Sequence, residues 1–400
     1  MPPSQPHRRC RCSGSRRRRT RVHWHCRGHS PSFDSAGQGS QPRVRLGFRA
    51  RYRRRQPPRL DPLLNIGDPP GILQPLRWEP RRILGEPAAI EALDALGAAL
   101  RESDFANNPD GCDDDSELGR FALGYPLHHR IARGFVGGAP RLASLIEAEA
   151  ADIDDDGEVS LRFEVLAGAG ALAIHPRVGI GGERVYAGPD SWILFTQVWR
   201  FGLGGDRALE LGTGTGLIAS LLAHRYRNVI ATDITDEAVA TAALSRRLLE
   251  PEVRDRLSVV RADVGESFRP ASFDLVTANA PWVPSSAAHG HVFADGGPSG
   301  SELPMRFLAD GLRLLRPTGT LVLMCADLRF ADDRAPLRDA LSRLRSEGFT
   351  TEVVVTPKET PFTFEEEATS GPLTGLRSAQ HVTVAVYRQP GLRVKDESEI

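Results

Sequence analysis

The sequence is poor in cysteine, in aromatic residues and in long apolar runs. Five cysteines in 400 residues, three of them within the first 26, do not make a disulfide framework for a chain of this size. No apolar run reaches the roughly 20 residues that a membrane-spanning helix needs, and no apolar segment follows the N-terminal arginines as it does in an export signal. These absences predict a cytoplasmic protein without a membrane span.

Acidic residues are almost missing from the start of the chain. Residues 1–60 hold 17 of the 51 Lys and Arg residues and one acid, Asp34, so the other 340 residues carry 34 basic and 50 acidic side chains. Because the Arg- and Pro-rich text has no apolar periodicity, we predict a disordered head over residues 1–82. A basic arm that touches RNA or a ribosome is one interpretation; an unspecific extension, or a start codon assigned too early, is favoured.

No metal site is expected. The cysteines and histidines of the head do not follow the spacing of a standard zinc finger. Asp152, Asp154 and Asp156 alternate as at the start of a calcium loop, but the twelfth position is Phe163 instead of a bidentate Glu. This segment is therefore predicted to be an acidic turn.

In the middle of the chain the sequence pattern changes from helix-like to strand-like. Apolar residues recur at helical spacing over residues 87–100 and again over 118–149, so residues 83–158 are predicted to form a helical substrate-recognition module. Alternation in 160–165 and 171–175, separated by two glycines, predicts a β-hairpin within a connector over residues 159–200.

Strand-like and helix-like segments alternate in the C-terminal half. Five strands are expected at 207–211, 228–232, 257–261, 273–277 and 319–324, and an antiparallel hairpin of 351–355 with 381–387 is expected at the sheet edge. Such alternation indicates a mostly parallel, Rossmann-like α/β sheet of seven strands over residues 201–390, followed by a tail at 391–400.

A glycine-rich turn follows the first of these strands. Gly212, Gly214 and Gly216 permit a tight turn and the close approach of a ligand to the backbone. A dinucleotide fingerprint needs a last glycine where Leu217 stands. Glu210 precedes the turn, where an acid would repel a pyrophosphate but hold a sulfonium or amino group. The pattern favours S-adenosylmethionine over NAD.

Two aspartates follow the next two strands. Asp233 lies where a carboxylate can accept from both ribose hydroxyls of a nucleoside, and Asp263 lies where one can accept from an adenine amino group. Each alone would be an ordinary residue at the end of a strand. Their succession after the glycine turn strengthens the prediction of an S-adenosylmethionine site.

The fourth strand ends in Asn279-Ala280-Pro281-Trp282, at the edge of the sheet where ligands bind in open α/β folds. The Asn279 side-chain oxygen and the Ala280 carbonyl can accept both hydrogens of a planar NH₂ group, while the Trp282 ring stacks on that group. Holding both hydrogens aligns the nitrogen lone pair with a methyl donor, and no general base is required. The alternative is a turn with a buried Trp.

Over about residues 160–330 the sequence resembles the HemK-type protein glutamine N5-methyltransferases, whose Asn-Pro-Pro-Tyr motif also occurs in adenine N6- and guanine N2-methyltransferases. Residues 185–194, 293–300 and 315–319 are similar to segments of that family. The resemblance implies a class I methyltransferase fold and a role for Asp190 in shaping the cofactor pocket. It also implies that the helical module grips a protein substrate. Ala280 and Trp282 depart from the family motif.

Three functional hypotheses follow. The leading one is N-methylation of an amide-like nitrogen, in first place a protein glutamine side chain. The second is N-methylation of an RNA or DNA base at adenine N6 or guanine N2. The excess of acidic residues after position 60 disfavours this hypothesis. The third is a non-catalytic module that binds S-adenosylmethionine or a partner, and the presence of Asn279 and Pro281 argues against it.

Overall fold

The computed structural model describes residues 78–103, 105–106, 116–177, 185–201, 204–286, 288, 290–356 and 374–388. Most of the predicted head, the polar run 107–115 and the predicted tail lie outside the described residues. Within the described ranges, no helix is long and apolar enough to cross a membrane.

Short helices and a small sheet make up the first part of the described chain. The elements are α1 (Pro80–Gly85), α2 (Pro87–Glu102), α3 (Glu117–Ala122), β1 (Leu127–His128), α4 (His129–Phe135), α5 (Ala139–Glu147), β2 (Ala151–Ile153) and β3 (Glu158–Leu161). Prolines lie in the first turn of α1, α2 and α5, where the missing N–H has no helical partner to lose. The antiparallel order β1-β3-β2 was not predicted, because strands of two to four residues leave little periodicity to read.

The segment that imitates a calcium loop is the turn between β2 and β3. Asp154 Oδ1 accepts hydrogen bonds from the backbone N–H groups of Asp156 and Glu158, at 3.0 and 2.8 Å. This carboxylate stabilises the turn, and the prediction of an acidic turn is confirmed.

The predicted hairpin consists of β4 (Phe163–Gly168) and β5 (Ala171–Pro176), which pair antiparallel. Backbone N–H groups of its second strand donate hydrogen bonds to serine hydroxyls on two later helices. The N–H of Leu172 donates to Ser220 Oγ at 3.0 Å, and the N–H of Ile174 donates to Ser245 Oγ at 2.8 Å. These bonds satisfy buried backbone donors that have no partner strand.

Seven strands form the main sheet, in the order β11-β12-β10-β9-β6-β7-β8. The strands are β6 (Gly205–Leu211), β7 (Tyr226–Asp233), β8 (Leu257–Arg261), β9 (Phe273–Asn279), β10 (Leu315–Phe330), β11 (Thr350–Val355) and β12 (Leu376–Tyr387). Strands β6 to β10 are parallel, and β11 and β12 form an antiparallel pair at one edge. The predicted fold class, strand number and edge hairpin are confirmed.

Helices cover both faces of this sheet. They are α6 (Pro189–Phe201), α7 (Leu217–Ala223), α8 (Asp236–Arg247), α9 (Pro251–Arg254), α10 (Glu302–Leu314) and α11 (Pro336–Ser346). On one face, a single apolar cluster joins α7, α8, the β4–β5 hairpin and the N-terminal helices. On the other, α10 and α11 pack on β9, β10 and β12 in a second cluster.

Strand β10 continues beyond the end of its parallel neighbour. Met324 pairs with Asn279, the last residue of β9, and six further residues of β10 pair with β12 instead. We call this two-stranded segment, residues 325–330 and 376–382, the β10–β12 extension. It forms a wall beside the carboxyl end of β9.

Candidate functional site

The glycine turn adopts a backbone conformation that ordinary side chains avoid. Gly212, Gly214 and Gly216 have φ angles of 69°, 52° and 81°. A Cβ atom on Gly214 would lie 3.0 Å from the carbonyl oxygen of Tyr186. The segment before α6 therefore lies directly against the turn, and its backbone leaves no room for a side chain there.

Asp233 lies at the end of β7 and contacts the same turn. Its Oδ2 accepts a hydrogen bond from the N–H of Gly214 at 3.1 Å, and its Oδ1 accepts from the N–H and hydroxyl of Thr235, both at 3.0 Å. The half-buried carboxylate thus braces the glycine turn and the start of α8, beside the position predicted for a ribose.

The side chain of Glu210 is buried beside the glycine turn. Its side chain is 3% exposed, and its Oε2 accepts a hydrogen bond of 2.6 Å from the Thr213 hydroxyl. Burial raises the pKa of Glu210 to about 8, although the hydrogen bonds from Thr213 and the Ala219 backbone oppose that rise. This raised pKa favours the protonated carboxyl group in the absence of a bound cation, and the role of Glu210 as countercharge to a sulfonium stays a prediction.

Asp263 follows β8 and is paired with Arg306 of α10. The guanidinium of Arg306 donates to Asp263 Oδ1 at 2.9 Å and to Glu266 Oε1 at 2.5 Å. The hydrogen bond to Asp263 raises the pKa of Arg306. Sequence reasoning missed Arg306, because its position on α10 gives no sign that it meets a loop some forty residues earlier.

Arg306 also faces a cavity between α10 and the loop after β9. The cavity has a volume of about 380 Å³ and is lined by Ser285, Asp295, Gly297, Glu302, Leu303 and Arg306. Arg306, which binds Asp263, and Ser285, which lies in the loop after Trp282, therefore line the same cavity.

Asn279 is held by a carboxylate from another element. Its Nδ2 donates to Asp190 Oδ2 at 2.8 Å, and the Tyr186 hydroxyl donates to Asp190 Oδ1 at 2.7 Å. A carboxylate can only accept, so the amide group of Asn279 must turn its nitrogen toward Asp190. The side-chain oxygen of Asn279 is then directed away from Asp190 and remains available as an acceptor.

Tyr186 connects two segments that are distant in the sequence. Its ring stacks on Phe293 with centroids 5.2 Å apart and an interplanar angle of 2°. The loop that contains Phe293 is in turn bonded to the residue that follows the motif, because the N–H of Val283 donates to the Ala294 carbonyl at 2.8 Å. Glycine is needed in this loop, since a Cβ on Gly300 would lie 2.4 Å from the carbonyl oxygen of Trp282.

The rest of the Asn279–Trp282 motif is largely buried. The N–H of Ala280 donates to the Met324 carbonyl at 2.9 Å, which fixes the backbone beside β10. Trp282 is 8% exposed and packs with Ala326, Leu328 and Phe330 of the β10–β12 extension. This packing follows from the continuation of β10 past the end of β9, and stacking of the Trp282 ring on a substrate stays a prediction.

His381 reaches the motif from the edge strand β12. Its ring lies 4.5 Å from the Trp282 ring between centroids, at an interplanar angle of 83°. Burial lowers the pKa of His381, and the charge of Asp190 opposes this shift. The sequence gives no sign of this contact, because His381 lies about one hundred positions after the motif and only the pairing of β10 with β12 brings it close.

Metal ligands do not cluster in the part of the chain that the structure describes. No group of three or more His, Cys, Asp or Glu side chains there is arranged to hold a metal ion.

Comparison with known proteins finds similarity to methyltransferases. Residues 209–323 match the family model described as "Methyltransferase domain". A 129-residue segment is 33% identical to the ribosomal protein uL3 glutamine methyltransferase of Bordetella pertussis and covers 30% of this chain and 43% of that protein. A 91-residue segment is 37% identical to the tRNA1(Val) (adenine(37)-N6)-methyltransferase of Bacteroides thetaiotaomicron and covers 22% of this chain and 38% of that protein.

Among solved structures, the chain is similar to one described as an E. cuniculi Mtq2-Trm112 complex responsible for methylation of the eRF1 termination factor. The sequences are 22% identical, the match covers 52% of this chain and 99% of that one, and the TM-score is 0.37.

The family model and the two curated relatives support the predicted methyltransferase fold, while the predicted domain bounds of 201–390 stay a prediction. They also set the extent of the likeness, because the chain spans only about two fifths of the length of the two curated relatives described above.

Proposed function

We propose that this chain transfers a methyl group from S-adenosylmethionine to a planar, amide-like nitrogen, in first place that of a protein glutamine side chain. The hydrogen bond from Asn279 to Asp190 carries the proposal. It fixes the orientation of the amide, so that an acceptor oxygen is presented at the carboxyl edge of the sheet, beside the glycine turn.

The glycine turn and its neighbours fit the nucleoside and amino acid parts of S-adenosylmethionine. Positive φ angles at three glycines remove side chains from the turn, and Asp233 lies against it. Asp233 and Asp263 would accept from ribose hydroxyls and the adenine amino group, and Asp190 would lie beside the methyl donor. When bound, S-adenosylmethionine supplies an electrophilic methyl group.

The residues of the motif then act on the acceptor. The Asn279 side-chain oxygen and the Ala280 carbonyl would accept the two N–H hydrogens of the amide, which directs its nitrogen lone pair toward the donor. Positive charge that develops on this nitrogen is stabilised by the same two oxygens. The acceptor NH₂ loses one proton to solvent after transfer, so no base is assigned to the step.

The N-terminal helices are proposed to contact a protein acceptor. Support comes from α1, where the guanidinium of Arg81 lies 2.6 Å from Asp236 Oδ2 at the start of α8. Asp236 is three residues past Asp233, so α1 reaches the edge of the sheet that carries the proposed cofactor site. Relatives that act on ribosomal protein uL3 favour a ribosomal protein as acceptor, which would be met in the cytoplasm.

A nucleic-acid base is the second candidate acceptor. Relatives named as tRNA and rRNA adenine N6-methyltransferases favour it, and an exocyclic amine presents the same planar NH₂ group to the motif. The base would have to be flipped out of its stack or single-stranded. The excess of acidic residues after position 60 disfavours binding to a phosphate backbone.

Transfer of labelled methyl groups tests both candidates. Purified protein is incubated with radiolabelled S-adenosylmethionine and a lysate of the source organism, and with purified ribosomal protein uL3, and label is then measured in protein, RNA, DNA and small molecules. We expect label in protein. Label confined to RNA or DNA would replace the glutamine proposal by the base proposal.

The matched variants are Asn279→Ala and Asn228→Ala. Asn228 is exposed on β7 and bonds to Asp206, away from the motif. We expect Asn279→Ala to lower turnover at least ~100-fold while S-adenosylmethionine still binds in calorimetry, because the lost oxygen contacts the acceptor. Asn228→Ala is expected to retain wild-type turnover. Normal turnover in Asn279→Ala would contradict the catalytic assignment.

A further inference from the structure

His381 is packed against the motif by the sheet itself. It pairs with Ala326 across the β10–β12 extension, and Ala326 belongs to the apolar cluster that holds Trp282. The perpendicular arrangement of the Trp282 and His381 rings is a preferred geometry for aromatic pairs, because the edge of one ring meets the face of the other. His381 therefore contacts the Trp282 ring directly.

Asp190 lies on α6, which packs against the strand of His381 and also reaches the other end of the motif. Asp190 accepts hydrogen bonds from Asn279 and Tyr186, and it is the charged group that acts on His381. The two ends of the motif are thus held by neighbouring side chains, Asn279 by Asp190 of α6 and Trp282 by His381 of β12.

We propose that His381 is a positioning residue for the Asn279–Trp282 motif, which holds the Trp282 ring in place and, in its neutral form, leaves the Asp190 carboxylate to Asn279. The activity test of this inference rests on the proposed function, whereas the fluorescence test below does not.

Protonation of His381 would disturb the arrangement through Asp190. A cationic imidazole beside this carboxylate would compete with the Asn279 amide for its oxygens. The elements that pack around His381 contribute Asp190 from α6, Trp282 from the motif and Ala326 from β10, and of these Asp190 carries the charge. Asp327, the next residue of β10, binds Arg329. Acid is therefore expected to loosen Asn279.

The first test measures kcat against pH with ribosomal protein uL3 as acceptor. We expect the wild type to lose activity on the acid side, below the ordinary histidine pKa of about 6.5. His381→Phe keeps an aromatic ring against Trp282 but cannot be protonated, so it should retain kcat at pH 8 within about threefold and lack the acid limb. His381→Ala should lower kcat about tenfold and leave the KM for S-adenosylmethionine unchanged.

The control variant is His175→Gln. His175 lies on the β4–β5 hairpin, where it binds Glu164, and is remote from the motif. It should keep the acid limb of the wild type. An acid limb that persists in His381→Phe, or one that disappears in His175→Gln, would overturn the inference.

The second test needs no acceptor. A protonated histidine quenches the fluorescence of a tryptophan that it contacts, so acid titration of the wild type should show a quenching step that is absent from both His381→Phe and Trp282→Phe. A step that remains in both variants, or the absence of any step in the wild type, would overturn the inference. Because this signal does not depend on methyl transfer, it separates failure of the inference from failure of the proposed function.

Discussion

Glu210 carries a buried carboxyl group near the end of β6, two residues before Gly212. Its contact with the Thr213 hydroxyl and its low exposure show that it stabilises the turn from inside the fold. A charged group removed from water loses solvation, which is why its pKa is raised to about 8 from an ordinary value of 4.5. This raised pKa makes the stability of the protein depend on pH.

The direction of this dependence follows from the two pKa values. Between pH 4.5 and about 8 the unfolded chain releases the Glu210 proton while the folded chain keeps it. Stability that is present below pH 4.5 is therefore lost as the pH rises toward 8. We expect Glu210→Gln, which cannot ionise, to reduce this loss by an amount on the order of a few kcal/mol. Thermal unfolding at pH 5, 6.5 and 8 measures it.

The control is Glu147→Gln, which changes an exposed glutamate at the end of α5. It should keep the wild-type dependence of Tm on pH. An equal slope in Glu210→Gln and the wild type would show that the pKa of Glu210 is not raised in the folded protein, and would support the predicted countercharge.

For individual residues, the sequence predicts which side chains matter better than it predicts the orientations of those side chains. Asn279 and Asp190 could be singled out because an acceptor motif and a cofactor segment have recognisable residues. The sequence could not show that the two side chains bond, nor that Trp282 faces the extension, because both facts depend on where α6 and β12 cross the end of β9. His381 was missed for the same reason.

Among the elements, the turn between β6 and α7 is closely constrained in its backbone conformation. Gly214 combines a positive φ angle with the close approach of the Tyr186 carbonyl. A methyl group there must both adopt a strained backbone and displace the segment that leads to Asp190. The turn and the start of α6 are therefore coupled by direct contact.

We expect Gly214→Ala to weaken S-adenosylmethionine binding at least ~10-fold, because backbone strain of about 1 kcal/mol or more is joined by displacement of the Tyr186 segment. Isothermal titration calorimetry measures the change. Gly348→Ala is the matched control, since Gly348 also has a positive φ angle of 86° but nothing lies within 4 Å of its missing Cβ. Equal affinity in the two variants would contradict the assignment of the turn.

Strand positions were predicted well where periodicity is local. The expected strand 257–261 agrees with β8 as observed, and the others differ by a few residues. The greatest error is β10, which begins four residues before the expected strand and ends six residues after it, at Phe330. Its last residues find a partner only in β12, so the end of this strand depends on a segment that lies some fifty positions later.

For the molecule as a whole, the important feature is the apolar cluster that the N-terminal helices share with the helices of the main sheet. It contains residues of α2, the β4–β5 hairpin, α7 and α8 together. Trp78 donates a buried hydrogen bond of 2.9 Å to the Thr241 hydroxyl, and Asp94 forms an ion pair of 3.0 Å with Arg254. A Cβ on Gly97 would lie 2.5 Å from the Leu248 carbonyl oxygen, so α2 rests directly on the backbone at the end of α8.

We expect Gly97→Ala to destabilise the whole described fold by about 1–3 kcal/mol, because the added methyl group overpacks a backbone contact. Urea unfolding followed by circular dichroism and by tryptophan fluorescence should show one coincident transition at lower urea. A separate early transition, with the main one unchanged, would contradict the shared core.

Gly134→Ala is the matched control on α4. Gly134 is also helical, and nothing lies within 4 Å of its missing Cβ. Alanine is the better helix former, so this variant should be neutral or more stable by up to about 1 kcal/mol.

The contact between α2 and α8 has a consequence for engineering. A substrate-recognition unit on a flexible linker can be exchanged between enzymes as a cassette, with only the linker to be redesigned. Here α2 packs directly against the end of α8, and Gly97 lies at the point of closest contact. A chimera that brings in a foreign N-terminal unit would have to carry the matching surface of α8 with it, and α8 begins three residues after Asp233. Acceptor choice and cofactor binding are thus expected to be inherited together in such chimeras.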